Sequence, residues 1–206
     1  MKSTIILNSE ETEQIADGKI TAFYVLVKPQ PNEVMYNPIV VGDSRKYHGI
    51  CDEHGKQLKL PYTLNKPIYI REPWGFKRTY PIGVEYEVYE PTTKIKSKSA
   101  ATMPKTAARL WIEPIDVRAM RIQELHEDDI LQFVESKNIP TGGDDYMDYY
   151  RNYLGSQKES DFPYFTGDPF KSLESYHIKK YGEESWKNND YVLFYTFKLI
   201  NNENAT

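Results

Sequence analysis

Polar and aromatic residues that could do chemistry stand at the ends of segments that read as β-strands. Lys19 and Thr21 open "TAFYVLV" and Lys28 closes it, Arg71 and Glu72 end "KPIYI" beside Trp74, and Arg109 opens "LWIEP". If a sheet gathers these ends into one cleft, Arg and Lys hold phosphate, Trp stacks a base, and Glu72 accepts from a base edge or acts as a general base. A second cluster is "YHGICDEHG", which spaces His48, Cys51 and His54 as a weak metal candidate. These are zinc-ligand types, and Asp52 or Glu53 could add an oxygen, but a closed site takes four ligands and adjacent spacing in a loop is a weak signal without a second cluster. The segment therefore reads as a polar turn, with no metal or other cofactor expected. The carboxylate pairs Glu10/Glu11, Asp128/Asp129 and Asp144/Asp145 read as solvated faces, since neighbouring helical side chains point in different directions. No nucleophile elbow, P-loop or dinucleotide fingerprint is present.

The elements that must position these residues are legible in part. "SEETEQIADG" (9–18) reads as a short helix stopped at Gly18, and "TAFYVLV" as a buried strand ended by "KPQP". "KPIYIRE" and "GVEYEVYE" read as strands, while "ARLWIEPIDVRAMRI" reads as a strand region interrupted at Pro114. "HEDDILQFVES" reads as a helix with acids in its first turn, and "DPFKSLESYHIKKYG" as a helix capped by Asp168, with Pro169 at its first position and Gly182 after its last turn. "YVLFYTFKLI" closes the fold as a strand buried on both faces. Residues 32–66 and 137–167 read as irregular insertions, 91–106 as a basic mobile loop, and 201–206 as a disordered tail. His177 reads as a packed or surface histidine. The expectation is one α+β domain over 1–200.

Charge is distributed unevenly. Residues 56–121 carry 13 basic and 6 acidic side chains, whereas 122–206 carry 8 and 16, against a total of −4. A basic middle can form an anion-binding face on an acidic protein. The 17 tyrosines suit half-exposed strands and binding faces. The N-terminal "MKSTIILNSE" lacks the apolar core of a signal peptide, and Cys51 has no cysteine to pair with. A cytoplasmic setting away from membranes is expected.

Several separated segments resemble one family. "ILNSEETEQIADGKITAFYVLVKPQP", "PIYIREPWG", "MPKTAARLWIEPIDVRAMRIQEL" and "DPFKSLESYHIKKYGEESW" followed by "YVLFYTFKLI" are similar, in order, to phage-encoded proteins of the ASCH-like, PUA-like superfamily. The resemblance implies a small β-barrel flanked by helices, in a superfamily with many RNA-binding members. Lys28, Arg71, Glu72, Trp74, Met103, Pro104 and Arg109 match the phage pattern. A distant branch, an acetylcytidine amidohydrolase, draws its catalytic lysine and threonine from a G-R-K-T-x-T-x-R signature. Here Gly18 and Thr21 are kept, but Ile20 stands at the lysine position and Phe23 at the second threonine, followed by Tyr24 and Val25. Lys19 is one residue away, which on a strand is the opposite face.

Three functional expectations follow. The first is a non-catalytic module that binds RNA or a modified nucleotide through Lys19, Thr21, Lys28, Arg71, Glu72, Trp74 and Arg109. The second is an amidohydrolase acting on a modified nucleoside, with Glu72 as base assisted by Lys19 or Thr21. The third is a phage accessory protein that contacts a protein partner through the acidic, Tyr-rich segment 144–165.

Overall fold

Where a cap, an apolar run and a stop coincide in the sequence, the structure places an element. The computed structural model describes residues 2–7, 9–41, 44–78, 84–88, 98–142, 145–155 and 165–200. The chain runs through β1 (Thr4–Ile6), α1 (Ser9–Ala16), β2 (Ala22–Leu26), β3 (Val34–Val41) and β4 (Ser44–Asp52). It continues through β5 (Ile68–Arg71), β6 (Trp74–Arg78), β7 (Val84–Val88), β8 (Trp111–Arg121) and α2 (Glu127–Ile130). The last elements are β9 (Ser136–Gly142), β10 (Asp145–Arg151), β11 (Phe165–Thr166), α3 (Pro169–Tyr181), α4 (Glu183–Lys187) and β12 (Tyr191–Ile200). The fold is α+β and mostly strand. A five-stranded sheet has the order β1-β5-β8-β12-β2, and smaller sheets are β11-β10-β9, β3-β4 and β6-β7. The described pairings include none that closes a barrel. No helix among the described residues is long and apolar enough to cross a membrane.

The chain divides into two compact units. The first comprises Met1–Thr21, Pro61–Asp116 and Thr196–Thr206. Its sheet alternates as a half-covered strand must: Ile68 and Ile70 of β5 and Ile112 of β8 are buried on one face, and Tyr69, Arg71 and Trp111 take the other. Parallel pairing sets Thr4 opposite Tyr69 and Ile6 opposite Arg71, so the second face extends onto β1. α1 stops where Gly18 takes φ +71 and donates to Ile15 O at 3.0 Å, a conformation open to glycine at little cost.

The second unit comprises Ala22–Leu60 and Val117–Tyr195. Asp168 caps α3 by accepting from Phe170 N at 2.8 Å, and Pro169 fills the first helical position. Gly182, at φ +95, ends α3 and starts α4. His177 of α3 is fully buried. Its Nε2 lies 2.9 Å from Ser185 Oγ, and its Nδ1 lies 3.3 Å from the Tyr24 hydroxyl. Burial holds the imidazole down to about pKa 4, with Asp190 opposing and Lys180 reinforcing the shift.

Several expectations are corrected. Residues 32–66 hold the β3-β4 hairpin, whose register shifts between Asn37 and Pro38. The stretch 137–167 likewise contains β10, paired with β9 and β11. Pro114 does not interrupt β8. Its carbonyl accepts from Asn65 N at 2.8 Å, so its nitrogen faces the same side, beyond Ile68 where β5 begins. No ladder donor is needed there. α2 is a single turn. Asp129, expected on a solvated face, is buried and paired with Arg118 at 2.6 Å. In the basic segment 91–106, residues 91–97 lie outside the described residues, as does the tail 201–206, and 98–106 is an ordered strap of turns.

Candidate functional site

The first unit builds its polar cluster around the strap that follows Lys98. Ser99 starts a 3-10 turn over Ala100–Thr102, with its Oγ accepting from Ala101 N. A second 3-10 turn, Lys105–Ala107, follows Pro104. Short side chains and a proline suit this path, since they bond locally to the backbone or preset it.

Four of the expected site residues converge on the strap and are largely occupied by holding it. Lys98 and Trp74 exchange backbone hydrogen bonds of 2.7 and 3.2 Å. The Trp74 indole N–H donates to Thr102 Oγ1 at 3.1 Å. Arg71 donates from Nε to Met103 O at 3.2 Å, and from Nη2 to Ala101 O. Glu72 has no exposed surface. Arg109 grips it with two parallel bonds, Nε to Oε1 at 2.8 Å and Nη2 to Oε2 at 3.0 Å. Such forked pairs are the strong form of charged hydrogen bond. The bond to Glu72 raises the affinity of the Arg109 guanidinium for its proton, against the opposing effect of burial.

The remaining expected residues are placed differently. Lys19 is exposed and pairs with Asp17 at 3.0 Å. Thr21 is exposed, and its carbonyl accepts from Phe197 N at 3.0 Å. No described hydrogen bond or ion pair joins either one to the Glu72 cluster. Lys28 belongs to the second unit. In the weak metal candidate, Cys51 is buried, whereas the His54 side chain is 81% exposed. Asp52 is engaged by the turn, with its Oδ1 accepting from His54 N and Lys56 N. The His48 side chain lies outside the described residues. Among the described residues, no group of three His, Cys, Asp or Glu side chains could hold a metal.

Sequence reasoning missed what lies over and under the strap. Lys98 and Lys105 are exposed, yet each ammonium stands on an indole face, 4.7 Å above Trp74 and 5.0 Å above Trp111. Three strap residues, Met103, Ala107 and Ala108, form an apolar cluster with Trp74 and Trp111, joined by Tyr69 and Ile200. Within it the Trp111 indole N–H is buried with no acceptor. Such a group forfeits about 1–3 kcal/mol. Uncovering the two alanine methyls above it costs about 0.8 kcal/mol each, a quantity of the same order. Alternation in "KPIYIRE" marks Tyr69 and Arg71 as one face, but only the register brings Trp111 beside them.

Comparison with family models, characterised proteins and solved structures finds no match to this chain.

Proposed function

We propose that the chain is a non-catalytic PUA-like module that binds single-stranded RNA or a nucleotide along the strap 98–109. The observation that supports this reading most is the pair of exposed ammonium groups, Lys98 and Lys105, each seated on an indole within an ordered segment. Cations held on an ordered segment are the chemistry by which the phosphates of a single strand are met, while the two indoles beneath them are buried and seat the ammonium groups. Lys98, Lys105 and Arg109 belong to the stretch with an excess of basic side chains.

The state of Glu72 weighs against the hydrolase reading. A general base must reach the proton it takes, and this carboxylate has no exposed surface and both oxygens on Arg109. The reading based on a protein partner rests on segment 144–165, of which 144 and 156–164 lie outside the described residues.

Fluorescence anisotropy of a labelled single-stranded RNA at low and physiological salt tests the proposal. Binding is expected to weaken with salt. A Lys98→Ala Lys105→Ala protein is expected to lower the slope of log K against log salt by about 1.4, roughly 0.7 for each lost phosphate contact. Absence of binding at both salt concentrations would remove the RNA reading.

A further inference from the structure

Thr4, Tyr69 and Trp111 form one row across three neighbouring strands, since Thr4 is opposite Tyr69 and Tyr69 is opposite Trp111. Registered residues share a face, and two strand spacings make the row about 10 Å long. Its two ends carry Thr4 Oγ1 and Trp111 Nε1. Both atoms are buried with no hydrogen-bond partner, and they are the side-chain atoms in that condition among the described residues. Between them stands Tyr69, half-buried, its ring 5.5 Å from that of Trp111. Buried polar groups are nearly always paired, so an unpaired one calls for a physical account. Two on one row point to a common partner.

The Trp111 end of this row is covered by a distinct piece of chain. Arg71 clamps the strap through the Met103 carbonyl, and Glu72 clamps it again at Arg109. Between the clamps, the described hydrogen bonds made by Pro104–Ala108 are internal to their own turn: Ala107 N to Pro104 O and Ala108 N to Lys105 O. Pro104 and Ala108, at its two ends, are both extended. The piece lies on Trp111 through two alanines and the Lys105 stem, a small apolar contact.

We propose that the row is a closed subsite for one nucleobase and that Pro104–Ala108 is its lid. With the lid lifted, a base carbonyl or ring nitrogen accepts from Trp111 Nε1–H. The base lies along the Tyr69 ring, the Thr4 hydroxyl pairs with its far end, and Lys105 holds the adjoining phosphate. The ligand is a base bearing a phosphate, free or within a strand. The inference rests on the nucleotide-binding reading above and adds the part that recognises the base.

The test is the 15N–1H spectrum of the indole protons in the whole chain, with the Trp111 signal identified by its loss in Trp111→Phe. Separate arms add uridine 5′-monophosphate, adenosine 5′-monophosphate and a single-stranded RNA. The expected result is a shift of the Trp111 indole proton in at least one arm, larger than that of Trp74, which already has Thr102 as acceptor. Affinity for that ligand should fall about tenfold in Trp111→Phe and about threefold in Thr4→Val, with the salt slope unchanged. If RNA binds in a salt-dependent way while the Trp111 proton stays still and both variants bind like the parent, the subsite is wrong and the strand-binding reading survives. If a mononucleotide moves the proton but RNA does not bind, the subsite stands and the strand reading falls. If nothing binds in any arm, both are overturned.

Discussion

The two units treat buried polar groups differently. In the second, Asp129 meets Arg118, Arg151 meets Glu135, Ser172 and Ser175 bond to backbone carbonyls, and His177 lies between Ser185 and Tyr24. In the first, Glu72 is equally well paired, yet Thr4 and Trp111 bury a hydroxyl and an N–H with nothing to bond. A fully satisfied network rigidifies a fold. An unsatisfied row carries a free-energy cost that a ligand can relieve. Among the described residues, the second unit leaves no buried side-chain donor or acceptor unpaired, and the first leaves two on one row.

Removing Arg109 should have the largest effect, and it asks whether the first unit is polar-deficient in general. Arg109→Ala would leave the Glu72 carboxylate buried and alone. Breaking a buried pair costs about 3–5 kcal/mol, and the lower end, about 3 kcal/mol, is expected because the Arg109 side chain is 37% exposed and water would reach the gap. The urea midpoint should fall accordingly and recover in part with Glu72→Gln added. No loss would mean that the pair contributes little and that the deficit extends beyond the row.

Acid tests the second unit. The His177 imidazole is held at about pKa 4 when folded, from an ordinary 6.5. Between those values the unfolded chain binds the extra proton, so stability is whole above about pH 6.5 and is lost as pH falls toward 4. At about 1.36 kcal/mol per pKa unit the loss approaches 3 kcal/mol. In a His177→Gln protein, the stability profile over that window should flatten by a similar amount. An unchanged profile would show that the imidazole is not held neutral.

The smallest effects give the sharpest contrast, because the same atom is deleted in each unit. Tyr24→Phe removes a hydroxyl bonded to His177 and should cost about 1–2 kcal/mol. Thr4→Val removes a hydroxyl bonded to nothing and should leave thermal stability unchanged or raise it by up to about 1 kcal/mol. Equal losses in both would erase the distinction between the units.

How much of this was legible beforehand depended on how local the signal was. α3 was written out by Asp168, Pro169 and Gly182, and β12 by its apolar run, because caps and runs act over a few residues. The hairpins β3-β4 and β9-β10 were read as loops because 32–66 is polar and turn-rich and 137–167 is acidic and Tyr-rich, with Pro38 and Pro140 inside the strands themselves. The dipeptides Gly42-Asp43 and Gly143-Asp144 between their strands were the hairpin signal to weigh against those prolines. The sequence lets Arg71, Glu72, Trp74 and Arg109 meet only if a sheet gathers them, and the structure brings these four to the strap. Free arginines and a free tryptophan were foreseen for a ligand, and the fold uses them to fasten its own strap. That choice depends on which carbonyls and carboxylates come within reach, which spacing along the chain does not encode. The Thr4–Tyr69–Trp111 row joins positions far apart in sequence and is visible only through register.

The bridge between Trp74 and Lys98 has a consequence for the ancestry and engineering of this chain. Its two residues exchange backbone hydrogen bonds in antiparallel fashion, so the chain passes from Trp74 to Lys98 through a narrow doorway within the first unit, to which the intervening residues also belong. The β6-β7 hairpin starts at that doorway, and the described bonds by which Arg71, Glu72, Trp74 and Arg109 hold the strap are made without residues 75–97. The doorway is a natural graft point. Variation between relatives of this chain should concentrate there, and a fluorescent or affinity tag inserted there should leave the strap and the row beneath it intact.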